Sequence, residues 1–383
     1  MDSIESAVRR RYSAGARRAE AALRCPTSSC ESKYLEAIPA EILERDYGCG
    51  DPTRYIQPGE TVLDLGSGGG KSCYIAAQVV GPEGRVIGVD CNRDMLALAR
   101  RHLDAFAARV GYHNVAFYCG LIQDLRLDLD ELAGFLSACP VRDQWGYLEL
   151  RDLEDRLRRE DPMIPDASID CVISNCVLNL VRPEDKSRLF SEVFRVLKPG
   201  GRAVISDIVS DADVPADLQA DPELWSGCLS GALREDAFLS AFESAGFSGV
   251  HLAERRSEPW RTVRGIAFRS VTVLASKGEL SPSPEPHQAL VYTGPFRLVE
   301  DDAGHRFPRG RRVAVSATTF HLLQRPPYEG MFTRVDPLTV IPTEQATPSD
   351  GNRSSARHPH ATEDPGDDAT ADAAGDCGSG GCC

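Results

Sequence analysis

The sequence predicts a doubly wound α/β fold with a mostly parallel sheet, followed by a small β-rich module and a disordered tail. Short β-branched runs alternate with amphipathic helical patterns between residues 61 and 207, which is the rhythm of parallel strands joined by crossover helices. The first of these runs ends in an acidic residue and a glycine-rich turn, as the first strand of such folds does. Proline- and glycine-punctuated short runs follow the main domain, and a polar tail closes the chain.

The elements of the main domain can be placed in order. The predicted strands are residues 61–65, 85–89, 115–118, 169–174 and 202–207, and the predicted helices are residues 73–80, 95–110 and 183–197. The turn Lys198-Pro199-Gly200-Gly201 is expected to stop the last helix, because proline and glycine cannot continue it. A charged, leucine-bearing segment near residues 121–165 is longer than a simple connection needs, so we interpret it as an insertion.

Composition divides the chain into segments. A helical N-terminal segment covers residues 1–46 and the main domain covers residues 47–279. A proline-rich linker at 280–289 leads to a small β-rich module at 290–342. The tail at 343–383 is rich in Gly, Asp and Ala and nearly devoid of large apolar side chains. Such a segment cannot offset the entropy of ordering, so we expect disorder there.

Charge and cysteine content limit the function classes. The chain has 43 Lys and Arg residues and 57 Asp and Glu residues, for a formal net charge of −14. This charge disfavours nucleic acid and anionic membrane surfaces as partners. No stretch approaches the ~20 apolar residues of a membrane span and no signal-peptide pattern is evident, so we expect a cytoplasmic protein. In that compartment the 13 cysteines favour thiol chemistry or metal binding over disulfides.

The glycine-rich turn after the first strand, Asp64-Leu65-Gly66-Ser67-Gly68-Gly69-Gly70, has three possible interpretations. A dinucleotide fingerprint would place Gly or Ala where Lys71 stands, and a Walker A loop would place Gly where Leu65 stands. S-adenosylmethionine is the remaining cofactor, with Asp90 at the end of the second strand for the ribose hydroxyls. The predicted cofactor-binding residues are Asp64, Gly66, Ser67, Gly68, Asp90, Cys91, Ile122 and Asn175.

Residues 47–277 resemble the arsenite methyltransferase family. The runs that carry the resemblance are YGCG (47–50), DLGSGGGKSCY (64–74), ISNCVLNLV (173–181), FRVLKPGG (194–201), SD (206–207), LWSGCLSGAL (224–233) and FRSVTV (268–273). DLGSG and VLKPGG are common to many adenosylmethionine enzymes, whereas the cysteine-bearing runs are more specific. The resemblance implies a Rossmann-like class I methyltransferase fold with S-adenosylmethionine as cofactor.

The resemblance also implies roles for four thiols. Cys176 and Cys228 would be the ligands of arsenic(III), and Cys49 and Cys73 would be a redox pair. The substrate would be arsenite or its thiol conjugates, and thioredoxin or glutathione would be the reductant. The family usually has an acidic residue where Gly227 stands, which puts any role of a carboxylate beside Cys228 in doubt.

These thiols suit the chemistry, since arsenic(III) is a soft centre that sulfur captures. Among the other cysteines, Cys91, Cys119, Cys139 and Cys171 are interpreted as small buried side chains, and Cys25 and Cys30 are left unassigned. The terminal Cys377, Cys382 and Cys383 would either capture arsenite or belong to an inert tail. Two rival functions stay open: a small-molecule C- or O-methyltransferase of the ubiquinone-biosynthesis type, and a non-catalytic arsenic- or soft-metal-sequestering protein.

Overall fold

The computed structural model describes residues 4–20, 23, 32–278, 288–302 and 304–336. The chain divides into two units, Met1–Glu279 and Leu280–Cys383. Several predictions lie outside the described residues: the tail with its terminal cysteines, the pair Cys25 and Cys30, and nearly all of the predicted linker. No helix in the described ranges combines the length and apolarity that crossing a membrane requires.

The first unit is built on one mixed sheet whose parallel part matches the predicted strands. Its strands are β1 (Thr61–Leu65), β2 (Arg85–Asp90), β3 (Val115–Cys119), β4 (Ile169–Asn175), β5 (Leu197–Ser210), β6 (Ser248–Arg255), β7 (Arg261–Val263) and β8 (Ile266–Ser276). The order is β3-β2-β1-β4-β5-β8-β6, with β7 paired to β8. Strands β1 to β5 are parallel, and β8 is antiparallel to its neighbours β5 and β6. The predicted doubly wound, mostly parallel sheet is confirmed.

Helices cover both faces of this sheet. The α-helices described in the first unit are α1 (Ile4–Arg17), α2 (Ser32–Leu35), α3 (Ala40–Glu44), α4 (Lys71–Val80), α5 (Arg93–Arg101), α6 (Leu103–Val110), α7 (Leu129–Ala138), α8 (Gln144–Glu160), α9 (Pro183–Val196), α10 (Ala216–Gln219), α11 (Pro222–Ser226) and α12 (Glu235–Ser244). One apolar cluster joins α4, α5 and α6 to the sheet, and another joins α9 and α12 to it. The chain order reverses between β1 and β4, and a ligand crevice is expected outside the carboxyl ends of those strands.

Some elements differ from the prediction. The single helix expected at 95–110 is two helices, because His102 adopts a non-helical backbone (ψ 0°) between α5 and α6, where its ring bonds Glu41 at 2.8 Å. The strands β6, β7 and β8 lie beyond the predicted series of strands, which ends at residue 207. β7 has only three residues, and β8 pairs antiparallel with β5 and β6 instead of continuing the parallel series. The insertion folds as α7 and α8 around its own small apolar cluster.

The second unit is small and rich in β-structure. Its elements are β9 (Ala289–Tyr292), β10 (Leu298–Glu300), β11 (Arg306–Pro308), β12 (Arg312–Ala314), α13 (Ala317–Leu322) and β13 (Phe332–Val335). Strands β12 and β13 flank β9 in an antiparallel sheet, and β10 pairs with β11. Leu290, Tyr292, Phe307 and Phe320 form its core. The β-rich character expected for this part of the chain is confirmed.

Candidate functional site

A cavity of about 270 Å³ opens at the carboxyl ends of β1, β2 and β4, where the reversal of strand order makes a crevice. All eight residues predicted to bind the cofactor line it, namely Asp64, Gly66, Ser67, Gly68, Asp90, Cys91, Ile122 and Asn175. Strand ends and the turns that follow them supply these residues. The structure therefore brings together a set that is scattered over more than one hundred positions of the sequence.

The glycine turn after β1 presents bare backbone to this cavity. Gly66 and Gly68 have φ of +68° and +53°, a left-handed region that favours glycine. A Cβ on Gly66 would also lie 2.4 Å from Cγ1 of Val177. The hydroxyl of Ser67 is buried and has no hydrogen-bond partner among the described residues, which fits a ligand atom as its partner.

Asp90 ends β2 beside this turn. Its carboxylate accepts hydrogen bonds from the backbone N–H of Gly68 at 2.8 Å and of Asn92 at 2.7 Å, and burial raises its pKa. Cys91, next along the chain, is exposed and lines the cavity. The expectation that Cys91 and Cys139 are buried is wrong, because Cys91 faces the cavity and Cys139 is an exposed residue of the insertion. Bare glycine backbone, an unpaired hydroxyl and a carboxylate fit the predicted adenosylmethionine.

Cys73 lies beneath this turn, in the apolar cluster under α4. Its thiol donates to Oδ2 of Asp64 at 3.2 Å. Burial, followed by the charge of Asp64, raises the pKa of Cys73 well above its ordinary value. Burial also raises the pKa of Asp64 to about 7. Cys73 is thus held as a thiol in the core of the sheet.

Three other thiols converge at the ends of β4 and β5. Cys49, Cys176 and Cys228 share one apolar cluster, and the thiol of Cys228 donates to the carbonyl oxygen of Cys176 at 3.1 Å. The thiol of Cys176 is within hydrogen-bonding reach of those of Cys228 and Cys49, and these two neighbours together with burial raise its pKa well above the ordinary value. We name Cys49, Cys176 and Cys228 the thiol cluster. Cys49 and Cys73, expected as a pair, lie in different apolar clusters.

Two members of the thiol cluster have unusual backbone geometry. Cys176 and Cys228 have φ of +66° and +61°, a region that costs non-glycine residues about 1–3 kcal/mol and is enriched at functional sites. Cys176 follows β4 directly, and its N–H donates to the carbonyl of Ser206 on β5. The reversed φ therefore turns the chain sharply where β4 ends.

Asn175 ties Cys49 to Cys176. Its Oδ1 accepts from the N–H groups of Cys49 at 2.8 Å and Gly50 at 3.0 Å, and its Nδ2 donates to the carbonyl of Gly50 at 2.8 Å. Gly48 is needed beside it, because a Cβ there would lie 2.3 Å from Nδ2 of Asn175. One amide thus sets the distance between two thiols that are remote in the sequence.

Replacing Asn175 by Ala is expected to lower the free energy of unfolding by about 1–3 kcal/mol, since the N–H groups of Cys49 and Gly50 lose their acceptor. Urea denaturation of the parent and the variant measures this difference. Ser187→Ala, at an exposed position of α9, serves as the control. Equal stability of the Asn175 variant and the parent would contradict the role assigned to the amide.

A buried polar network supports the thiol cluster. Asp207 on β5 is inaccessible to solvent; it accepts from the N–H of Leu178 at 2.8 Å and from Nδ2 of Asn179 at 2.9 Å. Asn179 also donates to the carbonyl of Cys228 at 3.1 Å. One carboxylate oxygen of Asp207 and the sulfurs of Cys49 and Cys176 all lie within 4.8 Å of one another. The carboxylate is therefore adjacent to two members of the thiol cluster.

Lys186 on α9 completes this network. Its ammonium donates to the carbonyls of Gly231 at 2.7 Å and Leu178 at 3.2 Å. Burial lowers the pKa of Lys186 to about 8 and raises that of Asp207 to about 6. Neither Lys186 nor Asp207 was predicted to be a functional residue. The run SD (206–207) was quoted only for its resemblance, and a lysine within an amphipathic helix ordinarily indicates a solvated face.

Two described protein families match parts of the chain. Residues 56–134 and 148–246 match a family described as "Methyltransferase domain", and residues 279–366 match a domain of unknown function, DUF8838. The methyltransferase match leaves out residues 135–147 of the insertion. The methyltransferase match and the DUF8838 match thus cover separate parts of the chain.

Several curated relatives are arsenite methyltransferases. An arsenite methyltransferase of Aquipseudomonas alcaligenes is 33% identical over 76% of this chain and 77% of its own length. One from Halobacterium salinarum is 40% identical, over 57% of this chain and 46% of its own length. The human arsenite methyltransferase is 28% identical, over 76% of this chain and 71% of its own length.

A solved structure agrees with these relatives. It is the crystal structure of an arsenic(III) S-adenosylmethionine methyltransferase from Chlamydomonas reinhardtii, with a TM-score of 0.55 and 29% identity, covering 79% of this chain and 94% of that one. The resemblance inferred from the cysteine-bearing runs is confirmed, as is the prediction of an adenosylmethionine-dependent methyltransferase. With a relative one-third identical over three-quarters of both sequences, the chain belongs to the arsenite methyltransferase family.

Proposed function

We propose that this protein transfers methyl groups from S-adenosylmethionine to arsenic(III) held by Cys49, Cys176 and Cys228. The observation that carries the proposal is the convergence of three buried thiols, from three distant segments, beside the donor cavity. Cys176 belongs to both places, since it lines the cavity and is part of the thiol cluster. The captured atom and the methyl donor would therefore meet at this residue.

The thiol cluster suits a soft centre. Thiolate sulfur is the ligand that soft ions prefer, whereas carboxylates suit hard cations. Here the sulfurs of Cys49 and Cys176 lie within 4.8 Å of each other, and Cys228 is in reach of Cys176. The structure supports Cys49 as a third arsenic ligand, a role different from the redox role that the resemblance implies for it.

The transfer itself requires positioning more than proton movement. Bound adenosylmethionine would supply an electrophilic methyl group on a sulfonium. Asp90 and the glycine turn would hold the donor, and the thiol cluster would hold arsenic with its lone pair directed at the cavity. Fixing two reactants in one geometry supplies a large part of such a rate enhancement. The apolar neighbours of the thiols, among them Ile208, Leu229 and Phe268, exclude water.

Methylation takes two electrons from arsenic, and a pair of thiols can return them. Arsenic(III) would give its lone pair to the methyl carbon and become formally pentavalent, and the electron pair of the broken C–S bond would stay on the donor sulfur. Two thiolates that form a disulfide return two electrons to arsenic. The short separations within the thiol cluster favour a disulfide between two of its members, whereas one between Cys49 and Cys73 would require movement out of separate apolar clusters. A thiol reductant, thioredoxin or glutathione, would restore the pair.

Incubation of the protein with arsenite, a thiol reductant and methyl-labelled adenosylmethionine tests the proposal. We expect labelled methylarsenic species, separated by liquid chromatography and identified by their arsenic signal. A control without arsenite should give no such product. Arsenite binding without labelled product would instead indicate a sequestering protein. Transfer to a carbon or oxygen acceptor with no arsenite binding would indicate a methyltransferase of the ubiquinone-biosynthesis type.

A further inference from the structure

Helix α1 forms one wall of the donor cavity. Glu5, Val8, Arg9 and Tyr12 all line it, and their spacing of three and four residues places them on one face of the helix. The sequence predicts a helical segment over residues 1–46 and indicates no function for it. The placement of this face makes α1 part of the site.

Polar contacts fasten α1 to both halves of the site. On the donor side, Nδ2 of Asn92 donates to the carbonyl of Arg9 at 3.0 Å, and the hydroxyl of Ser13 donates to Oδ1 of Asn92 at 3.3 Å. On the thiol side, Arg11 donates to the carbonyl of Glu223 at 3.1 Å and to the hydroxyl of Ser226 at 2.8 Å. Helix α1 therefore connects the loop after β2 to α11, which leads directly to Cys228.

Tyr12 lies between these two attachments. Its hydroxyl is 3.8 Å from the sulfur of Cys228, within range for a hydrogen bond to the large sulfur atom, and its ring meets Tyr47 edge to face with centroids 6.0 Å apart. The S–H of Cys228 is directed at the carbonyl of Cys176 at 3.1 Å. The hydroxyl of Tyr12 is therefore the donor and the sulfur of Cys228 the acceptor.

The protonation state of the Tyr12 phenol agrees with its role as the hydrogen-bond donor. Burial, followed by the nearby Cys228 and Cys176, raises the pKa of Tyr12 well above its ordinary value. Arg11 is engaged by Glu20 at 2.7 Å and by α11, so the residue next to Tyr12 is fixed in place. The phenol is thus a neutral donor held at the thiol cluster.

We propose that Tyr12 is a positioning residue for arsenic capture, whose hydroxyl orients the sulfur of Cys228 and whose helix closes the cavity between the donor and the thiol cluster. This inference rests on the proposed function. The hydrogen bond holds the sulfur of Cys228 in place while its S–H bond is replaced by an S–As bond, and the thiol proton leaves with a hydroxyl group of arsenite as water. The ring of Tyr12 also lines the donor cavity, and it is kept when only the hydroxyl is removed. Loss of the hydroxyl should therefore weaken arsenite binding and leave adenosylmethionine binding nearly unchanged.

The substitution Tyr12→Phe removes the hydroxyl and keeps the ring. We expect the dissociation constant for arsenite, measured by equilibrium dialysis with arsenic counting, to rise about 3- to 10-fold, the range for one lost hydrogen bond. The KM for adenosylmethionine should stay within about twofold, as expected when only substrate-side binding is lost. Tyr112→Phe is the matched control, because its hydroxyl bonds the carbonyl of Ala77 at 3.4 Å and Tyr112 is not part of the cavity wall.

A double-mutant cycle separates this role from general destabilisation. In a Cys228→Ala background, which has no acceptor at this position, adding Tyr12→Phe should change arsenite affinity by less than about twofold, because the coupling is gone. An equal loss in both backgrounds, or parent-like arsenite affinity of Tyr12→Phe, would overturn the inference. Failure of the parent protein itself to bind arsenite would instead contradict the proposed function.

Discussion

The substitution Cys176→Ser is expected to reduce arsenite methylation at least ~100-fold while adenosylmethionine binding stays within about twofold of the parent. Cys176 lines the donor cavity and lies in reach of both other members of the thiol cluster. Serine keeps the size of the side chain but replaces a soft ligand with a hard oxygen. Only the interaction with arsenic is removed, and the loss should appear in product formation and in arsenite affinity together.

The measurement is the labelled-methyl assay combined with calorimetric titration of adenosylmethionine. Cys139→Ser is the matched control, since it makes the same exchange at an exposed thiol of the insertion; its turnover should equal that of the parent. If Cys176→Ser methylates arsenite at the parent rate, arsenic is not held by this thiol. Retained transfer to a carbon or oxygen acceptor by the variant would favour the ubiquinone-type rival.

A second large effect is expected in stability. Asp207→Ala should lower the free energy of unfolding by about 3–5 kcal/mol, the usual cost of removing one partner of a buried charged network. The substitution leaves the N–H of Leu178 and the amide of Asn179 without their acceptor, and it removes the charge that opposes the buried ammonium of Lys186. Because Asn179 also donates to the carbonyl of Cys228, arsenite affinity should fall as well.

Denaturant unfolding checks this value. Asp213→Ala is the control, because Asp213 pairs with Arg234 on the surface with 82% of its side chain exposed, and exposed ion pairs contribute about 1 kcal/mol or less. Adding Lys186→Met to Asp207→Ala should recover part of the loss, since the uncompensated buried charge is then gone. A stability change for Asp207→Ala no larger than that of the control would show that the network carries little of the fold.

The donor half of the site could be predicted from short stretches of sequence. The glycine turn and Asp90 each follow a strand whose apolar run is visible in the sequence, and the carboxyl ends of neighbouring parallel strands share one edge of the sheet. Local pattern and this rule together place eight residues at one cavity, where the structure has them. The strands β6 and β8 lie outside the alternation of parallel strands and crossover helices on which the prediction rested, since β8 pairs antiparallel with β5 and β6.

The thiol half of the site could be predicted only in part from the sequence. Family resemblance singled out four cysteines, but which of them meet depends on contacts that no local pattern carries. Cys49 is brought to Cys176 by a single amide, Asn175, whereas Cys73 points from α4 into the core and bonds Asp64. Tyr12 gave no signal at all, because its role follows from α1 packing against α11 far along the chain.

The sequence by itself determined the fold class, the donor loop and the family, because strand periodicity, turn chemistry and short motifs act over a few neighbouring residues. Only the tertiary structure decided the membership of the thiol cluster, the carboxylate beneath it and the helix that closes it. These depend on the order of the strands and on two reversed backbone turns at Cys176 and Cys228. The strand order and the two turns result from long-range packing, in which residues far apart in the chain hold one another in place.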